Sequence, residues 1–342
     1  MVNTSALSKF KKAIEKKEFP TGFSPIPEWV STGNMALNYI ISGDLRAGIP
    51  VSRMTFFSGP QGSGKSFLLA NAMREAQKKG YFIVLLDTEN SLDDAFMKKI
   101  GVDTSEESML VVRVFSIEEA TNIASELLKS TEPQDKIGLF VDSLSNLESS
   151  QEIKKFDEGE LAATQGLKEK KYKQFAKGVN NRLGGRNMFA VMSTHVYEGQ
   201  EMYGEKYKVS GGTGVQFVPS IGVWLDKSPL KEGTDVTGIK VRCRTYKTRY
   251  QQLGLKTEFE LPYDSGMDEH DGVLPILEEE KVLDRSGAWY AYQKADSGEI
   301  VKFQRKDMVT HIDELIHRYN ELKGDIVEKD DEEATKEAVD QV

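Results

Sequence analysis

Eight consecutive residues, Gly59-Pro60-Gln61-Gly62-Ser63-Gly64-Lys65-Ser66, meet the pattern G-x-x-x-x-G-K-[ST] at every fixed position. Glycines at these places let the backbone curl so that several N–H groups point into one concavity. The β-rich run Met54-Thr55-Phe56-Phe57-Ser58 precedes them, and a helix-favouring run opening at Phe67 follows. Strand, glycine loop and helix form the context of a phosphate-binding loop, with the helix N-terminus adding partial positive charge. Lys65 can reach the β/γ-phosphates and Ser66 can ligate Mg²⁺, so the pattern implies binding of a nucleoside triphosphate.

Three further residues could work on that ligand. Asp142 ends the apolar run Ile137 to Val141, where a carboxylate can hold Mg²⁺ across from Ser66. Glu89, in Leu86-Asp87-Thr88-Glu89-Asn90, follows another strand end and can polarise an attacking water. His195 follows the strand Met188 to Met192 and could sense the γ-phosphate, although a lone histidine is more often structural. The next segment, Val196 to Ser210, carries Tyr197, Tyr203 and Tyr207 with Lys206 and Lys208, and closes on Gly211-Gly212-Thr213-Gly214. Tyrosines, lysines and close-approach glycines suit single-stranded nucleic acid. Lys170, Lys173 and Lys177 lie at helical spacing on one face, which is either a strip tracking a phosphate backbone or a solvated helix surface.

The elements that must position these groups alternate. Met35 to Ile41, the run after the glycine loop, Asp93 to Ile100, Ser116 to Lys129 and Leu167 to Leu183 read as helices. Ser116 with Glu119 forms a capping box. Tyr81 to Leu86, Met109 to Phe115, Ile137 to Val141 and Met188 to Met192 read as strands. The pattern predicts an α/β fold with a mostly parallel twisted sheet flanked by helices and its chemistry at the strands' carboxyl ends. Beyond Gly214, Ile221 to Leu225, Ile239 to Tyr246 and Thr257 to Leu261 predict a more antiparallel edge. The expected organisation is an N-terminal amphipathic helix and Pro-rich arm over 1–30 and a core over 31–270. A small α/β module over 271–324 and an acidic disordered tail over 325–342 follow. The helix, with Ala6, Leu7, Phe10 and Ile14 on one face, packs either on its own core or on a neighbouring subunit.

The 342 residues suffice for one large core and a smaller module. Among them is a single cysteine, Cys243, which excludes an internal disulfide and a cysteine zinc cluster. No signal-peptide core or membrane-length apolar run is evident, so a cytoplasmic protein without membrane contact is expected. The net charge of -9 misleads, because the last 18 residues hold eight acids against two lysines and supply -6 of it. Nucleic acid is therefore not excluded as a partner.

These blocks, namely Gly59 to Ser66, Leu86 to Asp93, Phe140-Val141-Asp142-Ser143, Ser193-Thr194-His195 and Ser210 to Gly214, occur in the order of the RecA recombinases. The segments around His195 and Tyr246-Lys247-Thr248-Arg249 are most similar to the UvsX branch of T-even-type bacteriophages. The resemblance implies a RecA-like core and a DNA-dependent ATPase that uses ATP and Mg²⁺. It would form a helical filament on single-stranded DNA and pair it with homologous duplex in recombination, repair and replication. A recombination mediator and a single-strand-binding protein are implied partners, and the host cytoplasm the location. By the same resemblance Glu89 activates water, Asp142 assists the metal, and His195 senses the γ-phosphate where bacterial members usually have Gln. Asp93 and Phe96 hold adenine, and Lys247 and Arg249 reach a neighbour's ATP. About 149–166 and 196–210 form DNA loops, with Lys170, Lys173, Lys177, Tyr203, Gly211 and Gly212 as DNA contacts, and the acidic tail restrains duplex access.

Two other readings stay open at this level: a hexameric helicase on the same core, and an ATP-gated scaffold that coats single-stranded DNA without exchanging strands. A small-molecule kinase would need an acceptor lid that the sequence lacks.

Overall fold

The computed structural model describes residues 4–16, 23–90, 92–160, 166–198, 207–210, 212–294 and 296–324. Tyr203, Gly211, part of the Pro-rich arm and the acidic tail lie outside them.

In chain order the elements begin with helix α1 (Thr4–Lys16), strand β1 (Trp29–Val30), α2 (Met35–Ser42) and β2 (Ile49–Pro50). The core follows as β3 (Met54–Gly59), α3 (Lys65–Lys78), β4 (Phe82–Asp87), α4 (Asp94–Ile100), β5 (Met109–Arg113), α5 (Ile117–Ser130) and β6 (Ile137–Asp142). Next come α6 (Ser150–Asp157), α7 (Leu167–Leu183), β7 (Met188–Glu198), β8 (Tyr207–Val209) and α8 (Thr213–Gln216). The chain continues through β9 (Ile221–Glu232), β10 (Asp235–Lys247), β11 (Lys256–Pro262), α9 (Val273–Glu279), β12 (Asp284–Ser286), β13 (Trp289–Gln293) and β14 (Ile300–Gln304). A last helix, α10, covers 312–324.

The main sheet has the order β11-β10-β9-β3-β7-β6-β4-β5, with β8 folded back on β7. From β9 to β5 every neighbour is parallel, and β9, β10 and β11 are antiparallel to one another. The apolar runs in β3, β4 and β6 are buried almost throughout because helices cover both faces. Two apolar clusters mark the two faces. One gathers α2, α3 and the 273–319 segment, including Leu37, Leu69, Leu277 and Leu315. The other gathers α5 and α7, with Ala120, Ala124, Tyr172, Phe175 and Val179. The C-terminal elements thus share a continuous core with α2.

Local signals explain the boundaries. The side chain of Asn34 accepts a hydrogen bond from Leu37 N at the start of α2, and Gly43 ends that helix at φ 84°. Ser116 and Glu119 form the expected reciprocal box at α5. Helix α7 keeps its expected bounds and buries one stripe, while Lys170, Lys173 and Lys177 are exposed.

The segments expected as DNA loops contain regular structure. Ser149 and Glu152 form a second capping box that starts α6 inside the first segment. In the second, β7 does not stop at Met192. It runs eleven residues to Glu198, and β8 pairs back with Val196 opposite Val209 and Tyr197 opposite Lys208. His195 therefore sits within a continuous strand, with a β-hairpin stem beyond it. Helix α1 is present as expected, with Leu7 and Phe10 exposed.

Candidate nucleotide site

Strand register assembles the site. Gly59 is level with His195 across β3 and β7, and Asp87 is level with Asp142 across β4 and β6. Four neighbouring strands thereby deliver the glycine loop, His195, Asp142 and the Glu89 turn to one edge of the sheet. This is the carboxyl edge, where parallel sheets place ligands.

The loop between β3 and α3 needs its glycines for different reasons. Gly62 and Gly64 have φ of 68° and 86°, a region that side chains disfavour. Gly59 is hemmed in: a Cβ there would lie 2.6 Å from Ser63 Oγ and 2.7 Å from the Leu225 carbonyl oxygen. Gly64 caps α3 and has no side chain to bond the first-turn N–H groups of this 14-residue helix. The buried Ser63 hydroxyl has no hydrogen-bond partner among the described residues. Donors without acceptors in one concave loop are what a polyphosphate would satisfy.

Lys65 is almost fully buried. Its ammonium donates to the carbonyls of Gly59 (3.1 Å) and Pro60 (3.0 Å) and approaches His195 Nδ1 at 3.3 Å. Burial pushes its pKa down, against the opposing pull of Glu89 and Asp142. A lysine donating to Nδ1 leaves the proton on Nε2, which faces Glu89 Oε1 at 3.0 Å. Lys65, His195 and Glu89 therefore form one hydrogen-bonded chain. The His195 contact, ahead of the opposing desolvation, holds the Glu89 carboxyl below its ordinary range. Glu89 is thus ionised near neutral pH and is fixed in place from behind. Asp87 Oδ1 accepts from the backbone N–H groups of Glu89 (3.2 Å) and Asn90 (2.9 Å). The Thr88 hydroxyl meets Ser143 N and O, each at 2.8 Å, joining this turn to the end of β6. The Ser145 hydroxyl accepts from His195 N at 2.8 Å.

Asp142 is buried. Oδ1 accepts from the Ser193 hydroxyl, while Oδ2 has no hydrogen-bond partner among the described residues. Burial raises its pKa, and the hydroxyls of Ser193 and Ser66 hold it down. A hydroxyl beside a carboxylate with one oxygen unsatisfied fits a hard, largely hydrated divalent cation that completes its shell with phosphate oxygens. Among the described residues no group of three or more His, Cys, Asp or Glu could hold a metal alone. Mg²⁺ held jointly with a phosphate needs no such group.

A cavity of about 560 Å³ opens over these groups, lined by Lys65, Ser66, Phe67, Glu89, Phe96 and His195 among others. Phe67 and Phe96 meet edge to face at 6.2 Å between centroids. Asp93 stands apart: its carboxylate caps α4 by accepting from Phe96 N at 2.6 Å, and it does not line the cavity. Lys247 and Arg249 do not line it either. Lys247 pairs with Gly222, which is level with Phe56, so it lies three residues, roughly 10 Å, back along the strands from Gly59. Its ammonium donates to the Phe217 carbonyl, and burial followed by the charge of Arg249 lowers its pKa.

Sequence reasoning missed several residues here. Tyr263 and Lys227 line the cavity, and Ser193 orients Asp142. Tyr263 follows β11 and carries no motif. The signal for Lys227 was the pairing of β9 with β3, which a linear pattern does not state.

Helix α7 adjoins the segment that follows the hairpin. Gly214 packs on Lys173, where a Cβ would lie 3.1 Å from Cδ, and a Cβ on Gly212 would lie 2.6 Å from the Glu169 carboxylate. Gly212 has φ of 79°. None of Lys170, Lys173 and Lys177 has an ion-pair partner among the described residues, whereas Lys171 on another face pairs with Glu118 at 2.5 Å. An aromatic row, Tyr207, Trp224 and Tyr246, runs from the hairpin to β10, with Trp224 and Tyr246 4.2 Å apart.

The family model described as RecA N-terminal domain matches residues 24–268. Protein RecA of Oceanobacillus iheyensis is 26% identical over 347 residues, covering 98% of this chain and 96% of its own length. Protein RecA of Mycobacteroides abscessus is 27% identical, over 88% of this chain and 83% of its own. Protein RecA of Chloroherpeton thalassium is 26% identical, over 79% and 73%. With the glycine loop, the paired acidic strand ends and the family model spanning most of its length, this chain belongs to the RecA family.

Proposed function

We propose that this protein is an ATP-dependent DNA recombinase of the phage type, which polymerises on single-stranded DNA and exchanges strands with homologous duplex. The observation that carries this reading is the Lys65–His195–Glu89 chain on a strand that continues into a hairpin, whose following segment packs on the helix bearing Lys170, Lys173 and Lys177, lysines without ion-pair partners among the described residues. This supports coupling between a nucleotide site and a nucleic-acid surface through β7.

Bound Mg²⁺ would neutralise phosphate charge and help place the terminal phosphoryl group. The loop N–H groups and Lys65 grip the phosphates, Ser66 and Asp142 hold the metal, and Glu89 orients and polarises the attacking water. His195 reports on the terminal phosphate through its two nitrogens, one toward Lys65 and one toward Glu89. Lys247 and Arg249, set back from their own cavity, serve the site of an adjacent subunit. Phe96 and Tyr263 flank the base. Lys170, Lys173 and Lys177 follow a DNA backbone, and the sequence is read by base pairing and not by the protein. Tyr203, Gly211 and Gly212 add contacts from the second loop. A mediator, a single-strand-binding protein and a host-cytoplasmic setting belong to the same proposal.

The test is joint-molecule formation between a single-stranded circle and homologous linear duplex, with electron microscopy in parallel. Helical filaments and ATP-dependent joint molecules are expected. Closed rings would favour a helicase, and filaments without joint molecules a coating scaffold.

A further inference from the structure

Strand β9 passes beside β3 with Ser58 level with Trp224, then continues past the point where the chain leaves β3 as the glycine loop. Its residue Lys227 turns back over that loop. The ammonium donates to the Gln61 carbonyl at 2.7 Å, and a Cβ on Gly62 would lie 2.7 Å from it. The single hydrogen bond uses one of its three donors. Lys227 lines the cavity and has no carboxylate partner among the described residues. The neighbouring Asp226 faces Arg242 at 3.8 Å, and its Oδ1 accepts the Lys227 backbone N–H at 2.9 Å. Lys227 also opposes the charge on Lys65, after burial and against the larger pull of Glu89 and Asp142. Two ammonium groups therefore bond to carbonyls of one loop, Lys65 to those of Gly59 and Pro60 and Lys227 to that of Gln61, and among the described residues no carboxylate pairs with Lys227. An anion bound in the cavity that both ammonium groups line is attracted by both.

We propose that Lys227 is a second phosphate-binding cation, contributed within the same subunit by β9 and acting with Lys65 on the polyphosphate of the bound nucleotide. This rests on the nucleotide-site reading above and extends it to a residue outside the glycine-loop pattern. The ligand class is a nucleoside di- or triphosphate, since the contact is to phosphate and not to the base. The competing account is that Lys227 only braces the loop through the Gln61 carbonyl.

Equilibrium binding of a fluorescent N-methylanthraniloyl ATP separates the two, using Mg²⁺-containing buffer at 50 and 300 mM salt. The set is the full chain, Lys227→Ala, Lys227→Gln, Lys227→Arg and Lys65→Ala. A hydrogen bond between a cation and phosphate predicts about tenfold weaker binding in Lys227→Ala and Lys227→Gln at low salt. It also predicts a flatter salt dependence in both and recovery in Lys227→Arg. The diphosphate analogue should weaken in parallel, and circular dichroism melting should stay near that of the parent. Unchanged affinity in Lys227→Ala overturns the proposal. So does equal weakening in Ala, Gln and Arg with the parental salt dependence, which is the signature of a brace. If the parent chain does not bind the probe, or if Lys65→Ala binds it equally well, the nucleotide-site reading itself fails.

Discussion

Glu89→Gln separates the chemistry of the site from its architecture. The amide oxygen can still accept from His195 Nε2, now 3.0 Å from the carboxylate, so the Lys65–His195 part of the chain keeps its geometry. What disappears is one negative charge and one proton acceptor. Loss of a positioned general base lowers the rate by about 10²- to 10⁴-fold, or roughly 2.7–5.5 kcal/mol in the barrier. Nucleotide affinity should not fall, because removing a carboxylate beside a polyphosphate weakens no attraction. The assay is steady-state ATP hydrolysis with and without single-stranded DNA, alongside fluorescence anisotropy of labelled DNA with ATP. The expected variant binds DNA in an ATP-dependent manner and hydrolyses at least about a hundredfold more slowly. Its parent should show no acid limb from Glu89 above pH 5, since the His195 contact depresses this carboxyl below the ordinary 4.5. The stability that contact contributes is present above that value and is lost as pH falls through the depressed one. Hydrolysis by Glu89→Gln within threefold of the parent would refute the assignment of the base. Loss of ATP-dependent DNA binding would refute the claim that the chain survives without the charge.

Gly59→Ala should cost about 1–3 kcal/mol by forcing a methyl group against the Leu225 carbonyl and Ser63, read as a lower urea midpoint together with lost nucleotide binding. The triple replacement of Lys170, Lys173 and Lys177 by Ala should leave DNA-independent hydrolysis unchanged. It should reduce the slope of log K against log salt for single-stranded DNA by about 2, at roughly 0.7 per phosphate contact. An unchanged slope would return these lysines to the role of a solvated surface. His270 is raised above its ordinary 6.5, first by the Asp268 side chain, so its contribution is complete below that value and is lost as pH rises through the raised one. His270→Asn should therefore be destabilising at pH 6 and nearly neutral at pH 9, by less than about 1 kcal/mol for a pair this close to solvent; equal urea midpoint shifts at both pH values would count against it.

Much of the site was legible because its parts sit at strand ends, and buried parallel strands announce themselves as apolar runs. Asp142 and the glycine loop needed only that pattern, and α5 and α7 needed only their caps and stripes. The polar ends of β9 and β10 were not legible. Residues 226–232 alternate weakly and pair only because β10 returns antiparallel beside them. Lys227 was invisible for the same reason, since its partner Gln61 is 166 residues away. Helix α6 was hidden by its eight residues, too few for periodicity to outweigh the expectation of a loop, although Ser149 and Glu152 carried the capping signal. The Lys65–His195–Glu89 chain depends on the register of β3 against β7, which no local rule supplies.

Strand β7 sets a condition of parity. From Met188 to Glu198 it contains neither glycine nor proline, so nothing between His195 and the hairpin allows a free swivel. Successive side chains point to opposite faces, and the step from His195 to any hairpin residue therefore has a fixed odd or even count. One residue inserted after His195 would turn every side chain of the outgoing stem over, while two would restore their faces and move the tip outward by roughly 7 Å. The distance between the histidine and the loop can thus drift only in steps of two, and a family member with an odd insertion there would have to carry a bulge that absorbs it.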